Sequence, residues 1–405
     1  MKTAVMYGAG NIGRGFIGTL FSASGYRTVF VDVSVPVIEG LNRAGRYPVR
    51  ILSGETYEDI DVLNVCAVDG ADPAAVAEAI AEGEILATAV GVNVLPRIVP
   101  NLVAGLRLRK ERKGKPLNIL ICENLMDADR VLDGLIRACL TSDEIGWYEE
   151  NVGLVETSIG RMVPIQTDEM KDGNPLRVCV EKYGFLPVNK AGFKGEIPEI
   201  RNMIPFDPFD FYVKRKLYIH NMGHAVCAYL GDLLGAEYVA DSIADENVYI
   251  VVKNAMLESA VALSRRYGVA LDSLLAHIDD LLYRFTNKAL KDTCKRVGGD
   301  PKRKLSPSDR LIGAANTALS NGICPVYISV GIAAALHRYL EETEGMTRCV
   351  ADAGKVLCDL CALAPEGELS GMILAFYAAL IEGKTIVDLR RMAGEMKGKN
   401  TAAII

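Results

Sequence analysis

Three side chains in one short stretch could act together on a single hydroxyl group. They are Lys216, Asn221 and His224, in the order Lys-Leu-Tyr-Ile-His-Asn-Met-Gly-His. A neutral amine accepts a proton, an amide donates a hydrogen bond, and an imidazole can do either. The stretch otherwise reads as an apolar helix, opened by Asp207-Pro208 and closed near Gly231 or Gly235. At about 100° per residue the three side chains point to about 0°, 140° and 80°, which is one helical face. A plainer reading fits the same residues: a solvent-facing lysine, a capping asparagine and a satisfied core histidine. What favours the chemical reading is the start of the chain.

Residues 2–7 are a short apolar run ending in Gly8-Ala9-Gly10-Asn11-Ile12-Gly13. A helical pattern follows to Gly25, and then a β-rich run, residues 28–33, that carries Asp32. The succession is strand, G-x-G-x-x-G turn, helix, strand, acid, and each part has a physical job. Gly8 permits the tight turn, Gly10 lets backbone approach a pyrophosphate, and Gly13 lets the helix sit close to the strand. The helix N-terminus offers N–H groups and a positive dipole end to the phosphates. Asp32 would accept hydrogen bonds from the adenosine ribose. It would repel a 2′-phosphate, and no arginine follows in Val33-Ser34-Val35, so the expected cofactor is NAD rather than NADP. Later strand ends should add Gly91 and Asn124.

The elements that position these groups alternate through the first half. Residues 84–91 and 117–122 read as buried strands, with a helical pattern over 95–108 between them. Shorter β-rich runs at 152–159, 176–183 and 185–188 are expected to extend the same sheet. Residues 192–205, rich in glycine, proline and charge, read as a connection. Beyond them the patterns are helical, over 245–267, 306–320, 325–340, 347–362, 369–381 and 387–396. The fold class expected is α/β: an N-terminal Rossmann-type, doubly wound parallel sheet with an all-helical C-terminal domain. The boundaries expected are an NAD-binding domain over 1–200 and a helical substrate and catalytic domain over 201–405.

Composition bounds the partners. The chain has 405 residues and a formal charge of −6, which argues against nucleic acid or an anionic membrane surface. The residues before the first strand lack a charged and apolar pattern, so no secretory signal is expected, and the longest apolar runs are too short to span a bilayer. The ten cysteines are scattered through apolar runs, as in reduced cytosolic proteins. The expectation is a cytoplasmic protein, a monomer or small homo-oligomer. With four histidines and no ligand-spaced cluster, no metal is expected.

The glycine turn, Cys122-Glu123-Asn124 and Lys216-x4-Asn221-x2-His224-Ala225 together resemble the polyol-specific long-chain dehydrogenases, the mannitol dehydrogenase family. The likeness resumes at Arg284-Phe-x-Asn287, Asp292, Arg296-Val297, Arg303-Lys-Leu305-Ser306 and Asp309-Arg-Leu-Ile312. It implies a zinc-independent, NAD-dependent alcohol dehydrogenase with Lys216 as acid–base. Asn221 and His224 would hold the reacting oxygen and Asn124 would complete the pocket. By family position Arg296 and Lys304 would contact the sugar, while Arg303 or Arg310 would meet a phosphate. The implied reaction interconverts D-mannitol 1-phosphate and D-fructose 6-phosphate. The alternative is a related polyol or hexuronate oxidoreductase acting on an unphosphorylated sugar. The chain departs from its relatives at Gly160, where they carry Asp, at Lys288 in place of Pro, and at Gly299 in place of Arg.

Overall fold

Strands dominate the first half of the computed structural model, which describes residues 1–54 and 56–402, and those of its central sheet are largely buried. In chain order they are β1 (Thr3–Tyr7), β2 (Arg27–Asp32), β3 (Arg46–Ser53), β4 (Thr56–Leu63), β5 (Val65–Asp69) and β6 (Ile85–Thr88). There follow β7 (Leu117–Ile121), β8 (Val152–Glu156), β9 (Val178–Glu181), β10 (Leu186–Asn189) and β11 (Met203–Phe206). Six of them make one parallel sheet in the order β5-β2-β1-β6-β7-β8. Alternate side chains of β1 supply two cores. Ala4 and Met6 join Phe16, Phe30 and Tyr47 on one face; Val5 and Tyr7 join Ile80, Val99 and Leu102 on the other. Covering both faces is what allows strands such as β6 and β7 to be buried at every position. β1 pairs with β2 on one side and β6 on the other, so the chain changes direction at the carboxyl end of β1. In doubly wound sheets that crevice is where ligands bind.

Only one of the three later β-rich runs extends this sheet. β8 does so beside β7, but β9 pairs with β3 in a separate β4-β3-β9 sheet, and β10 pairs with β11. The β3–β4 hairpin is the reason: its regular antiparallel register from Arg46↔Leu63 to Ser53↔Thr56 offers β9 an edge of its own. The residues read as a connection accordingly run into β11.

The chain divides into two compact units, Met1–Tyr212 and Val213–Ile405. The second is helical. Its core helices include Met222–Leu234, Glu246–Tyr267, Val326–Glu342 and Glu368–Ile381, of which the first is almost wholly buried. Asp245 caps Glu246–Tyr267 by accepting from the amides of Asn247 and Val248, and Gly268 ends that helix with φ +65°. Glu258, 4% exposed, accepts from the amides of Tyr327 and Ile328 and from Lys397 Nζ at 2.9 Å. One buried carboxylate thus satisfies a helix N-terminus and ties down the last helix. The helix expected from residue 306 begins only at Ile312, because Asp309 bonds back to Ser306 in a turn and its carboxylate engages arginines instead of capping. No helix among the described residues is long and apolar enough to cross a membrane.

Candidate functional site

In the first unit the glycine turn is built as its spacing requires. Gly8 leaves β1 at φ +101°, and a Cβ there would run into the carbonyl oxygen of Ala89. A Cβ at Gly13 would collide with the carbonyl oxygen of Gly8. Gly10 is the opposite case: no atom lies within 4 Å of where its Cβ would stand, so the backbone is open to a ligand. Ala9, Asn11 and Ile12 complete the turn, with the helix under way by Asn11.

Asp32 is held at the end of β2, where its carboxylate accepts from the amide of Ala9 at 2.7 Å and that of Ser34 at 2.9 Å. The acid expected to meet a ribose therefore also buttresses the turn. A second carboxylate works the same way and was passed over in the sequence. Glu123, 6% exposed, accepts from the amides of Val90 at 2.9 Å and Gly91 at 2.8 Å. It fixes the loop after β6, where Gly91 has φ +91°, and Asn124 follows it at an exposed strand end. An acid immediately before the strand-end asparagine was the available signal. Arg14 gave none: it is buried and donates to the carbonyls of Ala9 and Leu176, stapling the turn to the adjoining layer. At Gly160 the space of the missing carboxylate is taken by Tyr183, whose ring lies 3.0 Å from where a Cβ would be.

In the second unit Lys216, Asn221 and His224 lie on one continuous run of helix, but not with the expected regularity. A π turn spans Lys216–Asn221 between the α-helices Asp210–Arg215 and Met222–Leu234. Its wider turn overturns the side-chain directions drawn at a constant angle per residue, and such bulges recur at functional sites. The helix ends at Gly235, φ +71°.

Lys216 keeps part of its surface open, yet enough protein surrounds its amine that burial, followed by the like charge of Arg310, lowers it to about 8. His220 is fully enclosed in the same turn. Burial first, then Arg284, His224, His277 and Lys216, push it well below its ordinary value, so it stays neutral. His224 stacks on Phe285 at 4.8 Å between centroids and 14° between planes. Its Nε2 lies 3.2 Å from Asp292 Oδ2, and the other oxygen of Asp292 forms an ion pair with Arg296. Neither Phe285 nor Asp292 was assigned a role from the sequence, although Asp292 precedes Arg296 by one helical turn.

The basic cluster divides. Lys304 is 4% exposed, and burial, then Arg310 and Arg303, lower it to about 8. Arg296 is brought against Asp292. Arg303 instead pairs with Asp300 at 2.9 Å and Asp309 at 3.2 Å, and Arg310 with Asp309 at 2.8 Å. Among the described residues no group of His, Cys, Asp and Glu is arranged to hold a metal ion.

Two family models match the chain: the mannitol dehydrogenase Rossmann domain over residues 2–202 and the mannitol dehydrogenase C-terminal domain over residues 209–358. Among solved structures, the mannitol 2-dehydrogenase of Pseudomonas fluorescens, determined as a ternary complex with NAD and D-mannitol, is similar at a TM-score of 0.74. It is 15% identical, over 97% of this chain and 94% of that one. A D-sorbitol dehydrogenase in substrate-free form is similar at a TM-score of 0.76 and 18% identity, over 94% of this chain and 93% of that one. At these identities the likeness is one of fold.

Proposed function

The chain belongs to the mannitol dehydrogenase family, and from that premise we propose that it is an NAD-dependent polyol dehydrogenase with a lysine acid–base. The observation that carries this reading is the Lys216 amine, lowered to about 8 on the helical run that also bears Asn221 and His224. A lysine at its ordinary value of about 10.4 is almost wholly charged at neutral pH and cannot accept a proton. At about 8 a useful fraction is neutral, and the charged form remains available for the reverse direction.

The residues of the first unit suit NAD. The open backbone at Gly10, the turn through Ala9, Asn11, Ile12 and Gly13, and the acid Asp32 match a pyrophosphate and an unphosphorylated ribose. Gly91 and Asn124 stand at neighbouring strand ends. When bound, NAD supplies the hydride acceptor. The chain's own part is proton handling and orientation. Lys216 removes the hydroxyl proton, Asn221 and His224 hold the oxygen as charge develops, and Arg296 and Lys304 hold the rest of the sugar.

For the substrate we propose D-mannitol 1-phosphate, oxidised reversibly to D-fructose 6-phosphate. Residues 292–310 carry six cations against three carboxylates in a chain whose net charge is −6. Such an excess suits a dianionic phosphate, with Arg303 or Arg310 reaching it. A second reading, an unphosphorylated polyol, is favoured by one observation: both arginines are already paired, Arg303 with Asp300 and Asp309 and Arg310 with Asp309. The solved relatives named above are mannitol 2-dehydrogenase and sorbitol dehydrogenase, which favours it too. Steady-state NADH oxidation with fructose 6-phosphate, fructose and fructuronate separates the two. The first reading expects kcat/KM highest for fructose 6-phosphate; equal or better turnover of a free sugar replaces it with the second.

A further inference from the structure

His224 is clamped on two sides. Phe285 covers one face of its ring, stacked 14° from parallel, and Asp292 meets its edge at Nε2. The carboxylate is itself held fast. Its side chain is 9% exposed, and its backbone is pinned to the segment before helix Val239–Ala244 by two bonds. The amide of Val239 donates to the Asp292 carbonyl at 2.8 Å, and that of Cys294 donates to the Glu237 carbonyl at 2.9 Å. An isolated Tyr238↔Thr293 bridge lies between those bonds. Asp292 Oδ2 faces the imidazole, while Oδ1, which takes no hydrogen bond of ordinary geometry, faces the Arg296 guanidinium as an ion pair.

A carboxylate within reach of one imidazole nitrogen favours the form protonated there, and so decides what the other nitrogen can do. A carboxylate against a guanidinium fixes the direction in which its remaining donors point. His224 lies on the long helix Met222–Leu234 and Arg296 on the four-residue helix Cys294–Val297, so the carboxylate that joins them sets their relative placement.

We propose that Asp292 is the positioning residue of the reaction: one buried carboxylate that fixes the tautomer and orientation of His224 and, through its other oxygen, the aim of Arg296. This rests on the reading of the chain as a polyol dehydrogenase with His224 at the substrate oxygen. It gives this buried acid a part in the reaction through its two side-chain neighbours, and it makes the histidine and the arginine one coupled unit rather than two independent contacts.

The test is Asp292→Asn, which keeps the shape and removes the charge. With only four histidines in the chain, nitrogen-15 resonances of His224 can be identified by loss in His224→Gln. The expected result is a changed tautomer pattern at His224, a fall in kcat of about tenfold to a hundredfold, a raised KM for the polyol, and unaltered NADH affinity. Asp292→Glu should recover part of kcat. Unchanged His224 resonances in Asp292→Asn would overturn the coupling. Changed resonances with kcat/KM within about twofold of wild type would overturn its part in the reaction. A wild-type protein inert toward every polyol would bring down the functional reading, and the resonances alone would then decide whether Asp292 orients His224.

Discussion

Asp32 and Glu123 in the first unit bond to backbone amides, those of Ala9, Ser34, Val90 and Gly91. Asp292 and Asp309 in the second unit face side chains, His224 and Arg296 for one, Arg303 and Arg310 for the other, although Asp309 also accepts from the Arg310 amide. The first arrangement fixes the path of loops at the ends of β2 and β6, so shape is what it delivers. The second adjusts the protonation of one imidazole, His224, and the direction of three guanidiniums that stay charged. Substitutions in the first unit should therefore act on affinity for a ligand, and those in the second on the rate of a chemical step.

The largest expected effect sharpens that contrast. Lys216→Ala should lower kcat by about a hundredfold to ten-thousandfold, the range for loss of a positioned acid–base, while NADH binding by fluorescence titration stays put. Turnover near wild type would remove Lys216 from its role and leave the second unit without assigned chemistry. Gly13→Ala should do the reverse. Its new methyl meets the Gly8 carbonyl, a backbone atom that cannot swing aside. Overpacking of this kind costs roughly 1–3 kcal/mol, or about fivefold to a hundredfold in NADH affinity if it falls on the turn. With saturating cofactor, kcat should hold within a few fold. A collapse of kcat at full occupancy, with affinity intact, would break the division between the two units.

The same contrast explains what could be read from the chain. Glycine positions are legible because only one residue type satisfies φ +101° at Gly8 or the contact at Gly13, so their spacing records backbone geometry directly. The parallel order of the sheet follows from the strand–helix alternation for the same reason. Lys216, Asn221 and His224 were legible as residue types, but the π turn that sets their directions leaves no mark in an apolar helical pattern. Asp292, Phe285 and Glu123 were harder, since an acid or an aromatic at an element end has many ordinary uses. Only the partners, distant in sequence, show which one applies. The separate β4-β3-β9 sheet was missed on similar grounds: β9 is a run of only four residues, Val178–Glu181, and nothing in it specifies which edge it joins.

The smallest expected effect tests whether charge tuning is the second unit's business. Burial is the larger cause of the low Lys216 value and Arg310 the lesser. In the oxidation direction Lys216 must be neutral to accept the hydroxyl proton, so kcat should rise with pH through about 8 and level off above it. In the reduction direction the charged amine donates, and the rate should fall as pH climbs through the same value. Arg310→Gln removes a like charge, so the charged form of Lys216 becomes easier to keep and both midpoints should move upward. Because burial remains, they should stop short of the roughly 10.4 of free lysine. Asp309 would lose its partner in this variant but keep Arg303, so the fold should survive the change. A midpoint that does not move in Arg310→Gln would mean that the amine answers to burial alone, and a profile without a midpoint near 8 would mean that another group carries the proton.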